Sequence, residues 1–374
     1  MRFQDITGLG EVKQKLIDAV NANHVAHAQL FAGGEGSANL AMALAFAAYL
    51  NCQNPGPDDA CGVCPSCEKN SKFVHPDVNF IFPTAATPKF KREDATSDKF
   101  LKEWREFLLQ TPYGNVTDWA AHFGWENKLL MIPTHESKNI IRALSLKAFE
   151  GKYKVMIIWL PEVMHANAAN GILKILEEPP AQTIFLMVSN DPNKLLTTIT
   201  SRTQKLLIRP FNDSEIIESL ENEFSLEAEK AQKLAYFSEG NLREAKRLAT
   251  GNESDTQEVF KDWFRQCFTY NFENLIALGD AFQKKGKEFQ LALLATASKV
   301  MRESMIHLVQ VPQMARIPEG EEDFIGKFSK VFTEEKIMKI APKFDEAQYH
   351  IERNANPKIL FLDLSLTIAQ IARS

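Results

Sequence analysis

Leu30-Phe31-Ala32-Gly33-Gly34-Glu35-Gly36-Ser37-Ala38-Asn39-Leu40 is the stretch on which the fold turns. It runs in the frame of a phosphate-binding loop, G-x-x-x-x-G-K-[ST], counted from Gly33. In that frame Ala38 stands at the last Gly, Asn39 at the Lys and Leu40 at the Ser/Thr. A working loop uses the Lys on the β/γ-phosphates and the hydroxyl on Mg²⁺. Asn brings a shorter, neutral amide, and Leu cannot ligate a hard cation. A charge-assisted hydrogen bond is worth roughly 1.5–3 kcal/mol, so loss of the Lys alone lowers affinity about tenfold to a hundredfold. Taken alone, Gly33-Gly34-Glu35-Gly36 reads equally well as an ordinary turn.

The flanks supply the context that such a loop needs. Ala28-Gln29-Leu30-Phe31 reads as a short buried strand, and the Ala-rich segment Leu40 to Leu50 as the helix that follows. Val12, Leu16, Ile17 and Val20 mark a helix before them. Further strands are expected at 76–82, 155–160, 184–189 and 205–208. Val155 to Leu160 is a continuous apolar run, suited to a central parallel strand. Helices are expected at 140–149, at 166–178 up to Pro179-Pro180, and at 197–203. This alternation predicts a parallel α/β sheet over 1–209. Residues 84–134 are less regular. Their aromatics, among them Phe100, Trp104, Phe107, Trp119, Phe123 and Trp125, suit the core of a small subdomain better than base stacking. Beyond Pro210-Phe211 three helical patterns fill 210–252, and 253–374 is helical to its end, with a connector at 310–320 containing Pro312 and Pro318.

Four of the five cysteines, Cys52, Cys61, Cys64 and Cys67, lie within sixteen residues. Thiolates two residues apart chelate one ion from a tight turn, and four suit a closed tetrahedral Zn²⁺ site of structural type. Pro55, Gly56, Pro57, Gly62 and Pro65 supply the turns. Free or disulfide-bonded cysteines and an iron–sulfur cluster are the weaker readings. His75 is near enough to be weighed as a ligand, but four cysteines complete the set; Cys267 reads as a core residue.

Composition narrows the field. The 374 residues suggest two or three domains, and a net charge of −5 excludes a global basic field for nucleic acid. No run of 18 apolar residues predicts a membrane span, and Met-Arg-Phe-Gln-Asp has no signal-peptide character. A cytoplasmic protein with reduced thiols is expected.

Six segments in order resemble bacterial DNA polymerase III clamp-loader subunits, and within them the delta-prime type. They are Phe3-Gln4-Asp5-Ile6-Thr7-Gly8 with His27-Ala28-Gln29-Leu30-Phe31, the cysteine cluster after the loop helix, His75-Pro76-Asp77, Asn170 to Pro180, Asn193 to Thr203, and Gly240 to Ala245. The match spans 3–250; the insertion at about 84–134 departs from the family. The resemblance implies an AAA+ sheet domain, a helical lid at 210–252 and a helical collar at 253–374. It also implies a pentamer with delta and gamma/tau subunits that places a sliding clamp on primed DNA.

Aligned on Asn170, the family's metal-binding Asp-Glu pair falls on Trp159 and Leu160, neither of which can hold a metal or act as a base. Two motifs have failed together. A chain that binds no ATP and has no hydrolysis of its own is therefore expected. Ser201-Arg202-Thr203 matches the family's Ser-Arg-Cys, which makes Arg202 the arginine finger given in trans to a neighbour's nucleotide. Arg243 matches the second sensor or forms a structural ion pair, and Asn190 lies near the first-sensor position. Lys174 with Glu177 and Glu178 reads as a solvated face or a subunit contact. Gly33, Gly34, Gly36 and Asn39 complete the degenerate site. An ATP-hydrolysing gamma/tau-type subunit is the first alternative. The second is a stand-alone zinc-containing DNA-binding protein, which Asp58-Asp59 and the sparse Lys69 and Lys72 argue against.

Overall fold

In the computed structural model the apolar runs become a five-stranded parallel sheet. Its strands are β1 (Ala28–Ala32), β2 (Val78–Ile81), β3 (Lys154–Trp159), β4 (Thr183–Ser189) and β5 (Gln204–Leu207). Their order is β2-β3-β4-β1-β5, with Ala28 opposite Phe185 and Trp159 opposite Val188. Every residue of β1, β3 and β4 is buried, which is why these strands carry no polar alternation. The structure describes residues 1–125, 128–250, 254–311, 315, 322–353 and 355–373. They fall into two units, Met1–Arg247 and Leu248–Ser374.

Helices of the first unit are α1 (Gly10–Asn21), α2 (Asn39–Leu50), α3 (Pro65–Ser71), α4 (Leu101–Gln110), α5 (Val116–Phe123) and α6 (Glu136–Ser145). Then come α7 (Ala166–Gly171), α8 (Leu173–Glu177), α9 (Thr197–Thr200), α10 (Asp213–Phe224), α11 (Ala228–Ser238) and α12 (Leu242–Thr250). All twelve residues of α2 are buried, so its small alanines let it lie close on the sheet. The expected helix at 166–178 is divided at Ile172 into α7 and α8.

The helix expected at 140–149 starts earlier and stops at Ser145. Its last expected residue, Phe149, is held by Asp77 instead. The Asp77 carboxylate accepts the amides of Phe149 at 2.6 Å, Glu150 at 2.9 Å and Gly151 at 2.7 Å. Burial alone would raise this carboxyl; the three N–H groups hold it below its ordinary value.

Helices α10 and α11, in the stretch read from sequence as a lid, lie within the unit Met1–Arg247. Glu215 on α10 accepts from Leu9 N at 3.1 Å and Asn212 N at 2.9 Å and pairs with Arg209 at 2.8 Å. Gly8, at φ +63°, passes so close that a Cβ would lie 1.9 Å from Glu215 Oε1. The Arg209 guanidinium holds the Glu215 carboxyl down to about 2, so this tie is complete at neutral pH and is lost only as pH falls toward that value. Residues 251–253, at the expected boundary with the last domain, lie outside the described residues.

The insertion folds around its aromatics, which are core. Trp104, Trp119, Trp125, Phe100 and Phe107 are all buried. Phe82 stacks on Trp104 at 4.3 Å and Trp119 stands edge-on to both, its indole donating to Pro83 O at 2.7 Å. One charge lies beneath. Glu136 is fully buried and accepts from Ser97 N at 2.8 Å, while its Oε1 has no partner among the described residues. Burial pushes its carboxyl up to about 7. Its folded value is raised, so its contribution to stability is full below the unfolded value and is lost as pH rises through about 7. One unit is about 1.36 kcal/mol, so the loss is on the order of 3 kcal/mol. Glu136→Gln is expected to flatten the fall in urea-unfolding stability between about pH 5 and 8. An unchanged pH slope would assign that fall to other groups.

The second unit, among the described residues, is helical throughout: α13 (Ser254–Thr269), α14 (Phe272–Lys284), α15 (Lys287–Leu308), α16 (Glu322–Val331), α17 (Glu334–Glu352) and α18 (Pro357–Arg373). Phe260, Trp263, Phe264, Phe344 and Phe361 centre its core, which also takes Cys267. Trp263 donates to Ser365 Oγ at 2.8 Å, so its polar atom is satisfied. Much of the expected connector, 312–314 and 316–320, lies outside the described residues. No described helix is long and apolar enough to cross a membrane.

Candidate functional site

The loops at the carboxyl ends of β1, β3 and β4 meet where parallel α/β sheets hold ligands. Gly33 turns out of β1, where a Cβ would sit 2.8 Å from Ile208 O. Gly36 has φ +71°, and a Cβ there would fall 1.7 Å from Asn241 Oδ1. Glycine is required at both, and the loop has the backbone of a phosphate cradle. Its side chains do something else. Asn39 is buried and donates through Nδ2 to Gly33 O at 3.0 Å, Ser189 O at 3.3 Å and Asn190 Oδ1 at 2.9 Å. Its Oδ1 accepts from Leu40 N at 2.8 Å. The amide at the Lys position is therefore spent on closing the loop, and it engages Asn190 after β4. Leu40 is buried under the sheet.

At the end of β3, Trp159 and Leu160 are buried. The Trp159 ring lies 5.0 Å from Trp104 and 6.0 Å from Phe107, so it anchors the insertion to the end of β3. Glu162, two residues on, is a carboxylate that sequence reasoning passed over. Its Oε1 accepts from Asn190 N at 2.8 Å and Asp191 N at 3.3 Å, which fixes the loop after β4.

Arg243 opens α12, and both its Nε and Nη2 donate to the Asp118 carboxylate at 2.5 Å. Asp118 belongs to α5 of the insertion, and Asn115 of the same segment donates to Glu35 of the loop at 3.0 Å. No sequence pattern flagged Asp118 or Asn115 for the crevice; their S/T/D/N-x-x-D/E spacing is a signal of a helix start alone.

Arg202 follows the short helix α9. Its Nε donates to Glu177 Oε1 at 2.7 Å, Nη2 reaches the same oxygen, and Nη1 donates to Thr198 O at 2.8 Å. The side chain is 31% exposed. It is a partly exposed guanidinium held in one direction, at a place apart from the loop of its own chain. Glu177, read as part of a solvated face with Lys174, is what holds it; Lys174 is exposed.

The four cysteines converge. Their Sγ atoms all lie within 4.8 Å of one another, with Cys52 to Cys67 at 3.6 Å and Cys61 to Cys67 at 3.9 Å. A tetrahedron with Zn–S near 2.3 Å has S···S edges of about 3.8 Å, so the set could hold a metal such as zinc. Amides already point at the sulfurs: Cys61 N to Cys52 Sγ at 3.3 Å, Cys64 N to Cys61 Sγ at 3.4 Å and Cys67 N to Cys64 Sγ at 3.5 Å. The amides of Val63 and Cys64 bring the Cys61 thiol down to about 6, while burial raises Cys67. Proline at the first turn and Cys64 at the N-cap start α3. Asp59, read as a charge against nucleic acid, is structural: it accepts from Phe3 N at 3.1 Å and Gln4 N at 2.8 Å. Lys69 is likewise engaged, with Glu150. His75 stays outside the sulfur group and accepts from Asp77 N at 3.2 Å.

A parallel α/β sheet with a glycine loop at the start of α2 and a four-cysteine insert after its end defines the class. A family model described as DNA polymerase III, delta subunit matches residues 8–212. Over 177 residues the chain is 30% identical to DNA polymerase III subunit delta' of Pseudomonas aeruginosa, covering 47% of this chain and 41% of that one. It is 26% identical over 242 residues to subunit delta' of Bacillus subtilis, covering 65% and 59%. To subunit tau of Escherichia coli it is 26% identical over 307 residues, covering 79% and 40%. The chain belongs to the DNA polymerase III delta′ subunit family, whose relatives include gamma/tau subunits. It spans between about two-fifths and three-fifths of the length of these curated relatives.

Proposed function

We propose that this chain is a non-hydrolysing, delta-prime-type subunit of a DNA polymerase III clamp loader with an AAA+ domain, lid and collar. It completes the ATP site of a neighbouring gamma/tau subunit with Arg202, and with delta and gamma/tau helps to load the sliding clamp on primed DNA. The observation that carries this reading is the joint state of the crevice and the edge. Asn39 is consumed by the loop backbone, and Trp159 fills the place of a metal ligand. Arg202 meanwhile stands partly exposed and oriented. The four cysteines hold one Zn²⁺ in a structural role, since four sulfurs leave no open position for substrate.

Titration of the isolated chain with Mg-ATP in a calorimeter is expected to give no saturable binding below about 1 mM, given the lost charge-assisted contact and metal ligand. Micromolar binding would favour the ATP-hydrolysing type instead. The assignment of Arg202 is tested in the loader reconstituted with delta, gamma/tau, clamp and primed DNA. ATP turnover there with Arg202→Ala equal to wild type would overturn it.

A further inference from the structure

The insertion does more than pack against the sheet. Its segment 113–118 reaches the crevice at three points. Asp118 takes Arg243 through two parallel bonds at 2.5 Å. Asn115 donates to Glu35 in the loop at 3.0 Å. Tyr113 is buried, with its ring 5.9 Å from Phe211 and 5.0 Å from the Lys246 ammonium on α12. We propose that this segment is a built-in occupant of the crevice, in which the Asp118 carboxylate takes the place of a nucleotide phosphate and latches α12 onto the loop.

A planar guanidinium pairs with carboxylate and phosphate by the same two-pronged geometry, so one can stand in for the other. Asp118 is set for the task by its own helix. Its Oδ2 also accepts from Asn115 N at 2.9 Å, and Asn115 Oδ1 in turn accepts from Asp118 N at 3.0 Å. This reciprocal cap fixes the carboxylate direction before Arg243 arrives. The carboxylate also lies in the first turn of α5, where the helix end favours negative charge. Glu35 adds a second negative charge in the loop that would otherwise cradle phosphate. On the far side, α12 is joined to the loop directly, Leu242 N donating to Gly36 O at 3.0 Å. Beneath the segment, Trp159 binds the insertion core through Trp104 and Phe107. The residue lost from metal binding and the insertion that fills the site are thus one packing unit. This reading goes beyond the role of Arg202 and does not depend on it.

The test uses the full chain as Asp118→Asn, Arg243→Gln and the double variant, followed by hydrogen–deuterium exchange. Asparagine keeps an acceptor for the Asn115 amide, so the helix cap survives. Each single variant is expected to raise exchange of the amides in 242–247 by roughly tenfold, with 254–311 unchanged. The double variant should exceed the larger single effect little, because both break one interaction. Unchanged exchange in the single variants, or effects that add, would overturn the latch. Inorganic pyrophosphate probes the crevice in the same proteins. No binding by wild type and binding by Asp118→Asn at about millimolar concentration supports occupancy by the carboxylate. Binding by wild type, or none by Asp118→Asn, would sink it. Neither readout involves ATP turnover of an assembled loader, so the two proposals fail separately.

Discussion

In the proposed role as an arginine finger, Arg202→Ala is expected to silence the neighbouring ATP site of an assembled loader, slowing hydrolysis there by about 10³–10⁵. The total turnover of the complex then falls at least by that site's share, and clamp loading falls with it. A permanent charge with several donors is what a γ-phosphate gaining negative charge requires, and no neutral side chain replaces it. The isolated subunit should be almost untouched. The pair with Glu177 is partly exposed, and such pairs contribute about 0–1 kcal/mol. Thermal unfolding and assembly of Arg202→Ala are therefore expected to match wild type while turnover does not. Glu177→Gln gives a graded version. Thr198 O still holds Nη1 at 2.8 Å, so aim is loosened rather than lost. Its turnover should fall less than that of Arg202→Ala. A larger fall in Glu177→Gln would mean that the carboxylate, not the guanidinium, is the active group.

Removing the proposed zinc centre is the other large effect. Metal analysis of protein purified without chelator is expected to give about one Zn per chain, and Cys67→Ser to give almost none. Cys67 is the centre of the group, 3.6 Å from Cys52 and 3.9 Å from Cys61, and a serine hydroxyl is no substitute for a thiolate. Structural zinc contributes roughly 10–16 kcal/mol of apparent binding energy in small domains, much of it as folding energy. Here little else holds the segment. Between Cys52 and Cys67 the only other buried hydrophobic residue is Ala60. The loss should therefore appear as proteolysis within 52–72 and as fraying of the N-terminus, since Asp59 would release Phe3 and Gln4. The sheet, with its own core of Leu30, Met156, Ile158 and Phe185, should persist. Wild-type protein free of zinc yet protected at 52–72 would refute the centre.

Several elements were open to reading because their signal is local. The runs at 155–160 and 184–188 can be little but buried strands, since each residue is apolar and flanked by turns or prolines. The cysteine spacing carries its chemistry in four side chains. Other features failed to show because they depend on distant partners. The stretch after α6 is held by Asp77, more than seventy residues away in the chain, which keeps the amides of 149–151 out of any helix. The aromatics at 100–125 were read as core rather than base-stacking rings, and their burial bears this out.

The glycine loop shows the division most clearly. Asn39, Leu40, Trp159 and Leu160 suffice to say that the groups for metal and phosphate are gone, because identity alone removes charge and ligand atoms. What replaced them belongs to the tertiary structure. A carboxylate at 118 is only a helix cap until folding brings it to Arg243, 125 positions on. Hydrogen bonds act over about 3 Å, so which donor meets which acceptor is set by packing, and sequence order carries no trace of it.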